Sequence, residues 1–190
     1  MIKAIIFDFF GVICSDEYWR FVKEDKFEKG KFHQLADDVN LGTLSWEYFL
    51  QRVADETGQN VSAVEKMYNS ERINPELVAY IDKLHEKYKT ALLTNAHASF
   101  IKPLIERTGL KKVFDEVVIS SEVGIIKPDP RIYEYVLKLL NVHAEEAVFI
   151  DDSPPRVEGA KTTGMQAILY QDFNQMKSDL ERLLVAGSDD

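Results

Sequence analysis

From residue 74 onward the chain repeats one pattern, a short and almost wholly apolar run followed by a longer stretch with apolar residues at helical spacing. Runs at 90–93, 117–120, 147–150 and 166–170 read as strands, and the stretches at 99–109, 130–140 and 154–164 read as helices between them. Strands separated by helices are joined by crossovers and therefore lie parallel, and a parallel sheet has both faces covered. An earlier run, Lys3-Ala-Ile-Ile-Phe-Asp-Phe-Phe-Gly-Val-Ile-Cys14, supplies a further buried strand. The predicted fold class is α/β. Asn74-Pro75 marks a helix start, with Asn as cap and Pro in the first helical position. Asp172 is placed to cap the final helix, and Gly187-Ser-Asp-Asp190 is expected to fray.

Between the first strand and Asn74 the texture changes to amphipathic, charge-rich sequence. Tyr18, Trp19, Phe21 and Val22 stand among acids and lysines, and Phe32, Leu35, Ala36 and Val39 follow at helical spacing. Ser45 can cap a helix carrying Trp46, Phe49, Leu50 and Val53 that Gly58 ends, and Ser62 with Glu65 forms a capping-box pair for another. The expected organisation is an α/β core of residues 1–14 and 75–190, with residues 15–74 as a small helical cap over the mouth of the sheet. Tyr18, Trp19, Trp46 and Tyr48 are expected to fill the cap's own core.

The 190 residues suffice to bury a core. With 45% hydrophobic and 29% charged residues the composition is that of an ordinary globular protein. A formal charge of −9 argues against a sequence-independent grip on nucleic acid, which needs clustered Lys and Arg. Cys14 is the single cysteine, so no intramolecular disulfide and no cysteine metal cage is possible. No apolar stretch reaches membrane-spanning length, and the expected location is the cytoplasm.

Chemistry gathers at the ends of the apolar runs. Asp8 follows Ile5, Ile6 and Phe7 directly, where a carboxylate is costly to bury unless it is paired or bound to a cation. Gly11 permits a sharp turn beside it. Thr94-Asn95, Lys127 and Asp151-Asp152 fall at or just beyond other run ends, the edge at which open α/β sheets bind ligands. Two adjacent carboxylates repel unless a cation or donor separates them. An acidic protein that handles an anion needs a local inversion of sign, which a divalent cation with Lys127 would supply. Taken singly, Thr94 reads as a helix cap, Lys127 as a solvated loop charge, and Ser153 before Pro154-Pro155 as a cap. His85, His97 and His143 show no metal-ligand spacing; His97, near the mouth, is an outside candidate.

The four motifs in this order resemble the haloacid dehalogenase superfamily of phosphohydrolases from end to end, apart from the insertion. The resemblance implies a Rossmann-like sheet with helices on both faces. It implies that Asp8 attacks a phosphoryl group to form an aspartyl phosphate, with Mg²⁺ held by Asp8, Asp152, Asp151 and the backbone carbonyl of Phe10. Thr94 would bind phosphoryl oxygens, Asn95 would orient nucleophile or substrate, and Lys127 would neutralise charge on both. The implied substrate is a small phosphorylated metabolite. A small cap with exposed aromatics fits a monomer or homodimer. Phe10 departs from the pattern, since phosphatases of this family carry there a second Asp that protonates the leaving group and later activates water. Val12 is a milder departure. Asp16, Glu17 and His33 are candidates for a replacement acid. The 2-haloacid dehalogenases are similar in having an aromatic residue, Tyr, at that place and a Lys-Pro-Asp stretch; they need no metal. They have Ser residues where this chain has Asp151-Asp152, and Arg20 is the one early-cap candidate for a substrate carboxylate. The acidic pair favours the metal-dependent phosphatase. A third reading is a binding protein that turns nothing over.

Overall fold

The computed structural model of the chain describes residues 1–15, 31–70 and 72–186. Five strands, β1 (Ala4–Phe7), β2 (Lys89–Thr94), β3 (Glu116–Ile119), β4 (Ala147–Asp151) and β5 (Gln166–Leu169), form one sheet in the order β3-β2-β1-β4-β5. Every pairing is parallel, and Phe7 is in register with Leu92 on one side and Ile150 on the other. The helices are α1 (Lys31–Asn40), α2 (Trp46–Thr57), α3 (Val61–Tyr68), α4 (Pro75–His85), α5 (Ala98–Thr108), the single turn α6 (Ser120–Val123), α7 (Pro130–Leu140), α8 (Pro154–Thr162) and α9 (Phe173–Ala186).

The two-residue period of β1 divides the interior. Ile5 and Phe7 join one apolar cluster with residues of α4, α5 and α9; Ala4 and Ile6 join another with α7 and α8. The central strands β1 and β4 are buried throughout, whereas the edge strands β3 and β5 are partly exposed. This is the Rossmann-like arrangement expected. After β3 the chain crosses back to the far side of β1, and that reversal opens a crevice beyond the carboxyl ends of β1 and β4.

Local signals set most element ends. Asn74 accepts from the N–H groups of Glu76 and Leu77, Ser45 from that of Tyr48, and Asp172 from that of Gln175. Gly58 closes α2 at φ +67°. Two expected caps differ. The α3 cap is Asn60, whose side chain accepts from the Ala63 N–H at 2.8 Å, because Ser62 already lies inside the first turn. Ser153 precedes α8 but makes no side-chain cap bond; its own N–H is donated to Asp151 Oδ1 at 2.9 Å.

Among the described residues, helices α1–α3 share their core with the α/β part. Phe32, Val39, Phe49, Val53 and Tyr68 belong to the same cluster as Phe7, Leu92 and Phe100. The Trp46 ring stacks on Phe100 of α5 at 4.9 Å, while Tyr48 is exposed. The expectation of a separate cap core fails at these residues because their apolar faces are covered by the sheet-flanking helix as well as by each other. Tyr18 and Trp19 lie outside the described residues, as do the candidates Asp16, Glu17 and Arg20 and the terminal 187–190. The end of α1 is pinned to the top of β3, where Ser120 Oγ donates to the Asn40 carbonyl at 2.6 Å. Gly42 (φ +77°) then passes so close that a Cβ there would lie 2.6 Å from the Ser121 carbonyl oxygen.

Candidate active site

The backbone of Asp8 still belongs to the sheet, since its N–H is donated to the Ile150 carbonyl at 2.9 Å. Its carboxyl therefore emerges at the carboxyl edge, 1% exposed. Gly11 turns the chain back at φ +83°, and a Cβ at that position would meet Asp152 Oδ2 at 2.3 Å. Glycine is needed here twice over, for the left-handed backbone and for the room beside Asp152.

Lys127 reaches this edge from the loop before α7. Its ammonium donates to Asp8 Oδ1 at 2.6 Å, Asp151 Oδ2 at 2.8 Å and the Leu93 carbonyl at 2.8 Å. An ammonium has three N–H groups, and all three are used on the ends of β1, β4 and β2. The solvated-loop reading is thus replaced by a fully buried ion triad, which is costly to desolvate and more costly to break. Asn95 fixes the loop, with its amide nitrogen donating to the Lys127 carbonyl and its oxygen accepting from the Lys127 N–H, both at 2.9 Å. Sequence singles out Asn95 as the neighbour of Thr94; its bonds hold the Lys127 loop.

Burial pushes the Asp8 carboxyl up to about 6, with repulsion from Asp151 adding and attraction to Lys127 and Arg156 opposing. Asp8 Oδ2 and Thr94 Oγ1 are both buried and without hydrogen-bond partners among the described residues. Thr94 is the last residue of β2 rather than a helix cap; that position at α5 belongs to His97, whose Nδ1 faces the Ser99 N–H.

A cleft of about 280 Å³ opens over the edge, with Asp8, Phe10, His33, Asp37, Asp152 and Arg156 in its wall. Oxygens of Asp8, Asp151 and Asp152 lie within 4.8 Å of one another. Three hard carboxylate donors, with Asp8 Oδ2 making no hydrogen bond among the described residues, fit a divalent cation of the Mg²⁺ type. Phe10 has a packing reason for being aromatic: its ring stacks on Phe100 at 6.0 Å and 11°, joining the Trp46 cluster.

Sequence reasoning missed two residues of this cleft, Asp37 and Arg156. His33 and Asp37, one turn apart on α1, reach the same cleft, and only His33 had been singled out. Arg156 places Nη1 at 3.6 Å from Asp8 Oδ2 and 3.8 Å from Asp151 Oδ1. A signal for it existed. Pro154 fixes the first turn of α8, helical side chains lean toward the N-terminus, and a cation there opposes the helix dipole unless carboxylates face it.

Sheet order and edge chemistry define an α/β protein with a carboxylate–lysine centre at its topological switch point. The sequence matches the haloacid dehalogenase-like hydrolase family over residues 2–164, and the chain belongs to that family of hydrolases. It is 34% identical to the phosphorylated carbohydrates phosphatase of Thermotoga maritima, over 97% of this chain and 93% of that one. Its fold superposes on a predicted HAD-like family hydrolase from Porphyromonas gingivalis with a TM-score of 0.78, at 25% identity, covering 97% and 98% of the two chains. A HAD family enzyme of Bacteroides thetaiotaomicron, solved in complex with magnesium and inorganic phosphate, shares the fold with a TM-score of 0.74, at 20% identity, covering 93% of this chain and 99% of that one. No helix among the described residues is long and apolar enough to cross a membrane.

Proposed function

We propose that the chain is a Mg²⁺-dependent phosphatase of small phosphorylated metabolites in the cytoplasm, acting as a monomer or homodimer through an aspartyl phosphate on Asp8. The observation that carries the reading is the Asp8–Asp151–Asp152 cluster at the sheet edge, with an Asp8 oxygen that makes no hydrogen bond among the described residues. A metal-free dehalogenase has no use for three converging carboxylates. The phosphatase relative that matches nearly end to end points the same way.

In this reading residues 15–74 form the cap over a core of 1–14 and 75–190, and the cleft lies where α1 meets the sheet edge. Asp8, Asp151, Asp152 and the Phe10 carbonyl hold the cation, which when bound neutralises charge on the phosphoryl group and on the nucleophile. Lys127 holds Asp8 Oδ1, so Oδ2 is the free face for attack. The Thr94 hydroxyl, without a hydrogen-bond partner among the described residues, donates to a phosphoryl oxygen. In the first step Asp8 forms a bond to phosphorus, the ester P–O bond breaks, and the departing oxygen takes a proton. In the second, water bonds to phosphorus, the Asp8–P bond breaks, and water gives up a proton. Phe10 can exchange none of these protons. Among the described residues, His33 and Asp37 are the acid–base side chains in the cleft wall outside the acidic cluster, and they take that role.

The test is phosphate release from a panel of sugar phosphates and an aryl phosphate, with and without Mg²⁺, beside Asp8→Asn. Release that requires both metal and Asp8 is expected. Release that survives Asp8→Asn, or metal-independent chloride release from 2-chloropropionate in its place, would overturn the reading.

A further inference from the structure

Arg156 is more than a counter-charge. Its side chain is about a quarter exposed, at 27%, yet among the described residues its guanidinium makes no hydrogen bond: the two carboxylates it faces stand at 3.6 and 3.8 Å. Its backbone, by contrast, is held firmly. The buried Tyr133 of α7 donates its hydroxyl to the Arg156 carbonyl at 2.7 Å, and α8 packs so tightly beneath that a Cβ on Gly159 would lie 2.9 Å from Pro128. A planar fork of five donors thus stands in the cleft wall on a fixed stem with its hydrogen-bonding capacity unspent. Such a fork matches an oxyanion bidentately. The same guanidinium faces Asp8 Oδ2 and Asp151 Oδ1, two of the three carboxylates able to hold a cation, and like charges compete for them.

Resting on the phosphatase reading above, we infer that Arg156 couples the two ligands of this site. It weakens the carboxylate cluster's hold on a divalent cation alone, and it strengthens the hold of the cation-loaded site on a phosphoryl oxyanion. When the oxyanion arrives, the guanidinium turns from the carboxylates to its oxygens, and the penalty on the cation is relieved. By reciprocity, phosphate must then raise cation affinity by the same factor as the cation raises phosphate affinity. A residue of purely structural importance would weaken both ligands together; Arg156 moves them in opposite directions.

The experiment is titration calorimetry on the full chain with Mn²⁺ alone, and with inorganic phosphate on the Mn²⁺-loaded protein, for wild type, Arg156→Met and Arg156→Lys. Arg156→Met is expected to bind Mn²⁺ alone several-fold more tightly and to bind phosphate about tenfold or more weakly, the worth of a lost charge-assisted pair. Arg156→Lys, which keeps the charge and loses the fork, should keep the wild-type Mn²⁺ affinity and recover phosphate binding in part. Circular dichroism of the same samples controls for folding. A wild type that binds both ligands beside an Arg156→Met protein that binds them equally well, or both more weakly, would sink the coupling and leave the phosphatase standing. A wild type that takes up neither Mn²⁺ nor phosphate would remove the phosphatase site, and the coupling with it.

Discussion

Asp8 lies between two demands: its burial favours the neutral acid, and the proposed role as nucleophile needs the anion. With its carboxyl raised to about 6 from an ordinary value of 3.8, the folded state binds the Asp8 proton more tightly than the unfolded chain does. The stability this contributes is complete below pH 3.8 and is lost as pH rises through 6. In metal-free protein Asp8→Asn is therefore expected to raise the melting temperature at pH 7.5 by about 5 °C, with the gain vanishing near pH 4; calorimetry across that range measures it. At the other side of the cleft, His33→Asn with Asp37→Asn should lower kcat for an alkyl phosphate by roughly 10² to 10⁴-fold, the usual worth of positioned proton transfer. An aryl phosphate, whose leaving group needs no proton, should lose less in the first step. Equal losses on the two substrates, with aspartyl-phosphate formation limiting both, would remove the acid role from α1.

At the scale of elements, the inserted helices are held to the α/β part by a shared apolar cluster and by specific contacts at its rim. The Ser120–Asn40 bond fixes the end of α1, Gly42 fits against the Ser121 carbonyl, and the Trp46–Phe100–Phe10 stack closes the apolar side. Gly42→Ala puts a Cβ into that carbonyl and a side chain on a left-handed backbone, a cost of about 1–3 kcal/mol concentrated at this joint. Limited proteolysis should cut within α1–α3 faster in the variant while the α/β part resists; unchanged cleavage would mean that the joint does not hold the helices. The same stack explains why residue 10 carries a ring where proton transfer would ask for an acid. Phe10 serves the docking of α5 and α2, and α1 brings its own titratable groups to the cleft in exchange.

For the molecule as a whole, the ion triad is the point at which three strands are tied together. Lys127→Ala leaves Asp8 and Asp151 buried and faced only by the more distant Arg156 among the described residues, and the expected loss in metal-free protein is about 3 kcal/mol in urea unfolding. A divalent cation binding the same carboxylates should return part of that loss. In wild type, Mg²⁺ at a hundred times its dissociation constant should stabilise by about 2.7 kcal/mol, and Asp152→Asn should reduce that gain sharply while leaving the triad intact. An Mg²⁺ response unaltered by Asp152→Asn would place the cation elsewhere.

The chain alone determined the order of its strands and helices, because periodicity, Asn74-Pro75, Gly58 and Asp172 act within a few residues of themselves. It also determined which groups stand at strand ends, since an Asp or Thr closing an apolar run has nowhere else to emerge. Tertiary structure decided what those groups do to one another. Lys127 and Asp8 are 119 residues apart, and only the crossing of α7 under the sheet seats the ammonium on three acceptors at once. Arg156 and Asp37 look like ordinary helix charges, and His33 like one candidate acid of three, until packing turns α8 and α1 toward one cleft. Trp46 read as the core of a separate cap because a sequence records that a ring will be buried and not which surface will cover it.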